Sequence, residues 1–207
     1  VTNAGTLANV INGNSFTNQA GGVAGNVTNQ AGATFINSLN ANAGAVTNSG
    51  TGSNAGTIAA LTNNAGTFGN SGTVTGNVSQ SGGAVTNIGD VGGTLTVSGG
   101  LFDQNTGGSV AGLATISGTG TVTNAGTLAN VVNSGTFTNE LGGIAGTVDN
   151  QATGTFANDA GGTTGAVTNA GSGSNAGTIA ALTNTGGTFG NTGTVTGSAT
   201  QSGGTVT

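Results

Sequence analysis

The 207-residue chain contains no Lys, Arg, His, Cys, Met, Trp, Tyr or Pro, and its only charged side chains are Asp90, Asp103, Glu140, Asp149 and Asp159. Each absence closes a class of chemistry. Without His or Cys there is no imidazole base, no thiolate nucleophile and no soft metal ligand. Without Lys or Arg nothing neutralises phosphates, which argues against a nucleic-acid partner and against a polybasic membrane patch. Zero cysteines exclude a disulfide framework. No stretch approaches the roughly 20 apolar residues needed to span a bilayer as a helix, so no direct membrane insertion is expected. No charged segment followed by an apolar one opens the chain, so no signal peptide is expected. The sequence begins and ends inside repeat units, at Val1-Thr2-Asn3 and Thr205-Val206-Thr207, and reads as a piece of something longer. With five scattered acids as its whole ionic inventory, the chain is not expected to be an enzyme.

What is abundant is small and neutral. Glycine fills 45 positions, and most of the rest are Thr, Asn, Ala, Val and Ser. Such a composition suits a flexible linker, but the order of the residues argues otherwise. Val1–Thr86 aligns with Val122–Thr207 at a constant offset of 121 without a gap, and 59 of the 86 aligned positions are identical. Ser53 to Leu61 recurs unchanged as Ser174 to Leu182. Differences gather at Ser38–Ala43 against Asp159–Thr164, which marks a loop. A long repeat kept free of insertions implies that each residue has a fixed place in a lattice, a constraint that a random-coil linker lacks. The chain is therefore read as one segment, 1–207, made of a first long repeat over 1–121 and a second, truncated one over 122–207.

Inside the long repeat lies a shorter unit: a small residue, Thr or Ser, a bulky apolar residue, any residue, then Asn. It occurs at Ser15–Asn18, Thr34–Asn37 and Thr67–Asn70, and again at Thr136–Asn139, Thr155–Asn158 and Thr188–Asn191. A sister unit carries Val in place of Phe, as at Val27–Asn29, Val46–Asn48, Val122–Asn124 and Val167–Asn169. Phe16 to Phe35 and Val27 to Val46 are both 19 apart, Leu7 to Val27 is 20, and steps of six link Ile116, Val122 and Leu128. β-Branched residues alternate with small ones in these units, and Asn-Ala-Gly or Ser-Gly-Gly punctuates them, so each reads as a short strand. Gly and Asn are expected to supply the positive φ of sharp corners. No 3.6-residue apolar period is present, and frequent Gly opposes helix further.

One bulky residue per strand is too little for the core of a sandwich, but it suffices for a parallel β-solenoid, where each inward side chain stacks on its equivalent one coil away. The absence of Pro fits, because every interior strand donates N–H groups to a neighbour. The expectation is all-β: a right-handed parallel β-helix of about ten coils with about 19–20 residues each, so that six coils fill a long repeat. The same Asn ladders and low charge also suit a cross-β fibre, the competing reading.

Repeats such as Asn-Ala-Gly-Thr-Leu-Ala-Asn (Asn3–Asn9), Asn-Ser-Gly-Thr-Phe-Thr-Asn (Asn133–Asn139) and Gly-Thr-Val-Thr-Gly (Gly72–Gly76) resemble the passenger regions of bacterial type V secreted proteins, the autotransporter and filamentous-haemagglutinin-like adhesins. The resemblance covers essentially the whole chain and is one of pattern and composition. It implies a right-handed β-helix displayed on the bacterial outer surface or released outside the cell, a non-enzymatic structural or adhesive part of a fibre serving adhesion, biofilm or matrix. Partners expected on that reading are host or neighbouring-cell surfaces, together with continuation in a longer chain or end-to-end self-association. No adhesion motif transfers residue by residue. The alternative is a flat-faced binding module, ice-binding or carbohydrate-binding.

No catalytic, cofactor-binding or metal residues are singled out. Glu140 and Asp159, 19 apart, are the one pair that could stack in neighbouring coils and offer two carboxylates to Ca²⁺, but their first-copy equivalents are Gln19 and Ser38. They read as solvated surface acids. Phe16, Phe35, Phe68, Phe137, Phe156 and Phe189 all occupy the bulky slot of the unit and are expected to form a stacked core. Asn26 and Asn77 head Asn-x-Ser/Thr sequons whose second-copy counterparts are Thr147 and Ser198, which argues for chance occurrence. Thr-Val-Thr at Thr73–Thr75, Thr121–Thr123 and Thr194–Thr196, with Thr94–Thr96 beside them, is the only hint of a ranked threonine face, and it looks broken.

Overall fold

A computed structural model describes residues 1–207, and every regular element in it is a β-strand. All strand pairings are parallel and link one coil to the next, so the chain is a parallel β-solenoid, as its repeats predict. Each coil has three sides. The first is a strand of about four residues, such as Ser15–Asn18; the second is a two-residue strand, such as Val23–Ala24; the third is a three-residue strand, such as Val27–Asn29. The first sides stack into one 13-stranded sheet. The second and third sides form two further faces, joined at corners such as Gly25 and Gly76. Where a corner is shallow, as at Gly44 in Asn42–Asn48, a single seven-residue strand serves both faces. The steps of six that link Ile116, Val122 and Leu128 are therefore successive sides of the solenoid, not repeats of one side.

The coil is shorter than expected. Successive first-side strands follow each other by 15 residues (Asn3 to Asn18), then 19, 17, 16, 17, 17 and 20, which brings the chain to Asn124 and completes the 121-residue repeat in seven coils. The average is about 17 residues, and twelve three-sided coils fit in the chain rather than ten. The 19-residue spacing belongs to the two coils in which Phe follows Phe; elsewhere Gly52, Val85, Val122 or Gly173 takes the equivalent slot and hides the true period. Leu7 likewise pairs with Ala24, while Val27 pairs with Val10.

The core is a single column of side chains. Phe16, Phe35, Phe68, Phe102, Phe137, Phe156 and Phe189 are all buried in the slot facing the axis, as expected. Phe16 and Phe35 stack with ring centres 5.8 Å apart, and Phe137 and Phe156 with centres 5.6 Å apart, within the range in which offset aromatic pairs attract. Val27, Val46, Leu61, Val78 and Leu95 fill the third side; Ile58, Val74, Val91 and Val110 fill the second.

Corners are made mainly by glycine. Eleven glycines have positive φ, and Asn40, at 62°, is the only other residue that does. The expectation that Asn would share this duty is thus corrected. Apart from Asn40, the asparagines stand at strand ends or on the surface with ordinary backbone geometry.

Candidate functional site

The asparagine that closes each unit turns inward. Eighteen asparagines, Gln80, Gln104 and Thr164 make up the buried polar residues, and no charged side chain is buried. Burial of an unpaired amide is costly, and the solenoid meets that cost by stacking amides on amides. On the first side, Asn3 Nδ2 donates to Asn18 Oδ1 at 2.8 Å, Asn18 to Asn37 at 2.9 Å, Asn37 to Asn54 at 2.8 Å, and Asn54 to Asn70 at 2.7 Å. The ladder runs on through Asn87 to Gln104 and resumes from Asn124 through Asn139, Asn158 and Asn175 to Asn191. A second ladder climbs the third side through Asn12, Asn29, Asn48 and Asn63, then through Asn133, Asn150, Asn169 and Asn184. The second proton of many rungs goes to backbone carbonyls, as when Asn18 Nδ2 reaches Gly22 O at 3.2 Å and Asn42 O at 2.8 Å. An amide suits this role because it donates and accepts at once, so identical side chains satisfy each other without limit. The sequence marks asparagine as a source of positive-φ corners and points to Asn ladders only through the competing cross-β fibre; the signal for ladders within the solenoid is the recurrence of asparagine at the last position of the units.

The five acids lie apart on the surface. Asp90 Oδ1 accepts Ser109 Oγ at 2.6 Å from the next coil. Asp103 Oδ1 accepts Thr123 Oγ1 at 2.6 Å, and its Oδ2 accepts Asn105 Nδ2 at 3.1 Å. Asp149 Oδ2 accepts Gln151 Nε2 at 2.6 Å. Glu140 and Asp159 do occupy equivalent turns of neighbouring coils, one residue past the paired Asn139 and Asn158. No third acid, His or Cys joins them, and no group of three such residues exists anywhere in the chain. Asn26 and Asn77 act as corner clasps: their Oδ1 atoms accept Ala45 N and Thr94 N, each at 3.0 Å. Asn130 does the same for Thr147 N at 2.9 Å.

The largest groove, of about 530 Å³, is shallow and lies beneath the turn at residues 39–42, floored by Ala55-Gly56-Thr57 and Ser71-Gly72-Thr73. Its lip is Leu39, 66 % exposed. It holds no charge, so it can offer only hydroxyls, amides and one apolar ledge.

The broadest surface is the outside of the 13-stranded sheet. There the register places Ser15, Thr34, Thr51 and Thr67 in one row, and Thr121, Thr136, Thr155, Ser172, Thr188 and Thr205 continue it beyond Ala84 and Leu101. A parallel row through Thr17, Ser53, Thr86, Thr123, Thr138 and Ser174 is interrupted by Ile36, Gly69, Asp103, Ala157 and Gly190. The hydroxyl rank is thus more regular than the sequence shows, and Thr73 and Thr75, which look ranked in sequence, lie away from it on the second side.

No protein-family model matches the chain, and no curated protein is a detectable relative. Among solved structures it is similar to the TibC-catalysed hyper-glycosylated TibA55–350 fragment, at 17 % identity and a TM-score of 0.44, over all of this chain and 93 % of that one.

Proposed function

We propose that this solenoid is a structural and adhesive segment of a bacterial cell-surface or extracellular fibre. The observation that carries the reading is that the 121-residue repeat comprises seven whole coils. Because the repeat closes on a coil boundary, Asn3 and Asn124 occupy the same place on the same face, and further copies extend the rod without changing its register. One continuous core and two amide ladders make such a rod stiff. Nearly neutral sides with no cationic group leave it to associate through hydroxyls, amides and shape. The passenger-like repeats described above point the same way, and the winding proposed with them is right-handed, the hand that parallel crossovers adopt. Continuation in a longer chain, or stacking of copies end to end, would lengthen the rod in the same register.

The test is display of the 207-residue segment, singly and in tandem, on a non-adherent bacterium that lacks surface fibres. Adhesion to abiotic or cell surfaces, or autoaggregation, should rise with the number of copies. Electron micrographs should show rods that lengthen by about 34 Å per seven-coil repeat. Copy-independent adhesion equal to that of an unrelated displayed protein would overturn the reading.

The hydroxyl rows favour a second reading, in which the flat sheet binds a periodic neutral surface such as ice or a crystalline polysaccharide. Its support is the parallel-strand spacing of about 4.8 Å, which sets the spacing of the hydroxyls along each row. Thermal hysteresis and pull-down by insoluble polysaccharide test it; absence of both would leave the fibre reading alone.

A further inference from the structure

Twelve three-sided coils meet across eleven complete interfaces, and ten of these are crossed by at least one side-chain amide rung. The exception lies where the two long repeats join. On the first side Gln104 should donate to Asn124 and does not: Gln104 Oε1 accepts Asn87 at 2.8 Å, but its Nε2 turns aside to Thr127 O at 3.5 Å. Asn124 Oδ1 is left buried with no hydrogen-bond partner. On the third side the same interface sets Ile116 against Asn133, so no rung is possible there. This is also the longest coil, 20 residues from Gln104 to Asn124. Across the junction remain the backbone ladder, apolar pairs such as Phe102 with Val122 and Val110 with Leu128, the long bond from Gln104 Nε2 to Thr127 O at 3.5 Å, and one outer clasp from Thr123 Oγ1 to Asp103 Oδ1 at 2.6 Å.

Gln is the cause. Each buried glutamine costs its ladder one rung: Asn63 makes none to Gln80, and Gln104, although it accepts from Asn87, makes none to Asn124. Gln80 fails on the other side: its Nε2 goes to Gly83 O and Leu101 O, its Oε1 is unpartnered, and Asn63 turns to Gly82 O instead. At Gln80, however, the first-side rungs Asn54–Asn70 and Asn70–Asn87 still hold the flanking interfaces. At Gln104 no amide rung crosses on either side, and only the outer Thr123–Asp103 clasp and the long Gln104–Thr127 bond do.

We propose that the junction between Gln104 and Asn124 is a built-in yield point at which the rod opens before any other interior interface, separating two blocks that each stay folded. A buried acceptor without a partner favours opening to water, and neighbouring interfaces with paired amides resist it. The proposal concerns the mechanics of the fold and stands whether or not the rod is adhesive.

Hydrogen exchange on the intact 207-residue chain, with pepsin digestion after quenching, tests it directly. Amides bonded across the junction, Ala125 N to Gln104 O, Thr127 N to Gly108 O and Ser134 N to Ile116 O, should exchange at least about tenfold faster than Ala55 and Thr57, whose interface has both rungs. Gln104→Asn should restore the rung and slow the junction amides to the level of the others. Asn70→Gln, at an interface whose third side pairs Gln80 with Val97 and so has no second rung, should create a second fast site around Ile88 and Asp90. Asp103→Ala should speed the junction further. Uniform protection of interior coils in the unsubstituted chain, or junction amides unmoved by Gln104→Asn, would overturn the proposal.

Discussion

Phe68 lies directly over Gly52, its partner in the neighbouring coil, and a Cβ added to Gly52 would come within 3.0 Å of the Phe68 ring. Gly52 in turn sits on Phe35, so the glycine is a gap in the aromatic column into which the next ring leans. The arrangement recurs 121 residues later, where Gly173 lies between Phe156 and Phe189 and an added Cβ would again meet the ring.

Gly52→Ala should therefore destabilise the chain, although alanine suits a strand better than glycine. Overpacking of this kind costs about 1–3 kcal/mol. Gly69→Ala is the contrast: nothing lies within 4 Å of its added Cβ, and a smaller unfolded-state entropy should stabilise by up to about 1 kcal/mol. Thermal melts of the two variants should shift in opposite directions; equal shifts would contradict the packing.

Phe35 is fully buried and stacked on Phe16. Phe35→Ala should cost about 3–5 kcal/mol by leaving a cavity in a column with no second layer to collapse into it. Phe35→Asp places an unpaired charge on the axis and should abolish cooperative melting. A Phe35→Asp protein that melts like the parent would refute the stacked core.

Removal of one rung reports on the amide ladders. In Asn139→Ala, Asn158 Oδ1 loses its donor and Asn124 Nδ2 loses its acceptor. Each buried unmet group costs about 1–3 kcal/mol, so denaturant midpoints should fall well below those of a surface control such as Thr138→Ala. A drop no larger than the control's would mean that water replaces the rungs freely.

Resistance to proteolysis separates this lattice from a disordered chain of the same composition. Trypsin has no Lys or Arg to cut at. Proteinase K, which needs only an open backbone, should leave a long resistant core in the native protein and digest it after heating. Immediate complete digestion of the unheated protein would be inconsistent with stacked coils.

The groove beneath Asn40 shows how the two repeats diverge within a common frame. Asn40 holds a φ of 62°, where the second copy has Gly161 at 85°. Left-handed backbone costs a residue with a Cβ more than glycine, and Asn tolerates it best among the others. Asn40→Gly should accordingly leave stability equal or slightly raised, read as the shift in melting temperature. A marked loss would show that the Asn40 side chain supports the turn.

Residue content and order by themselves determined the chemistry and the fold class. Lacking cations, imidazoles and thiols, the chain has no side chain of its own to neutralise a phosphate, act as an imidazole base or supply a thiolate. A gapless 121-residue repeat of Thr, Val, Gly and Asn units requires a stacked β lattice, and the 19-residue interval pairs Phe16 with Phe35 correctly. Only the tertiary structure decided the coil length, the three-sided section, the ladders and the missing rung at Gln104. The reason is that in a solenoid each side chain takes its role from a neighbour one coil away, and turns of unequal length place that neighbour anywhere from 15 to 20 residues along the chain. With Gly52, Val85 and Val122 standing where Phe might have marked the column, no fixed period exposes the register. An asparagine at the end of a strand looks like a turn residue until the next coil brings another amide within 2.8 Å of it.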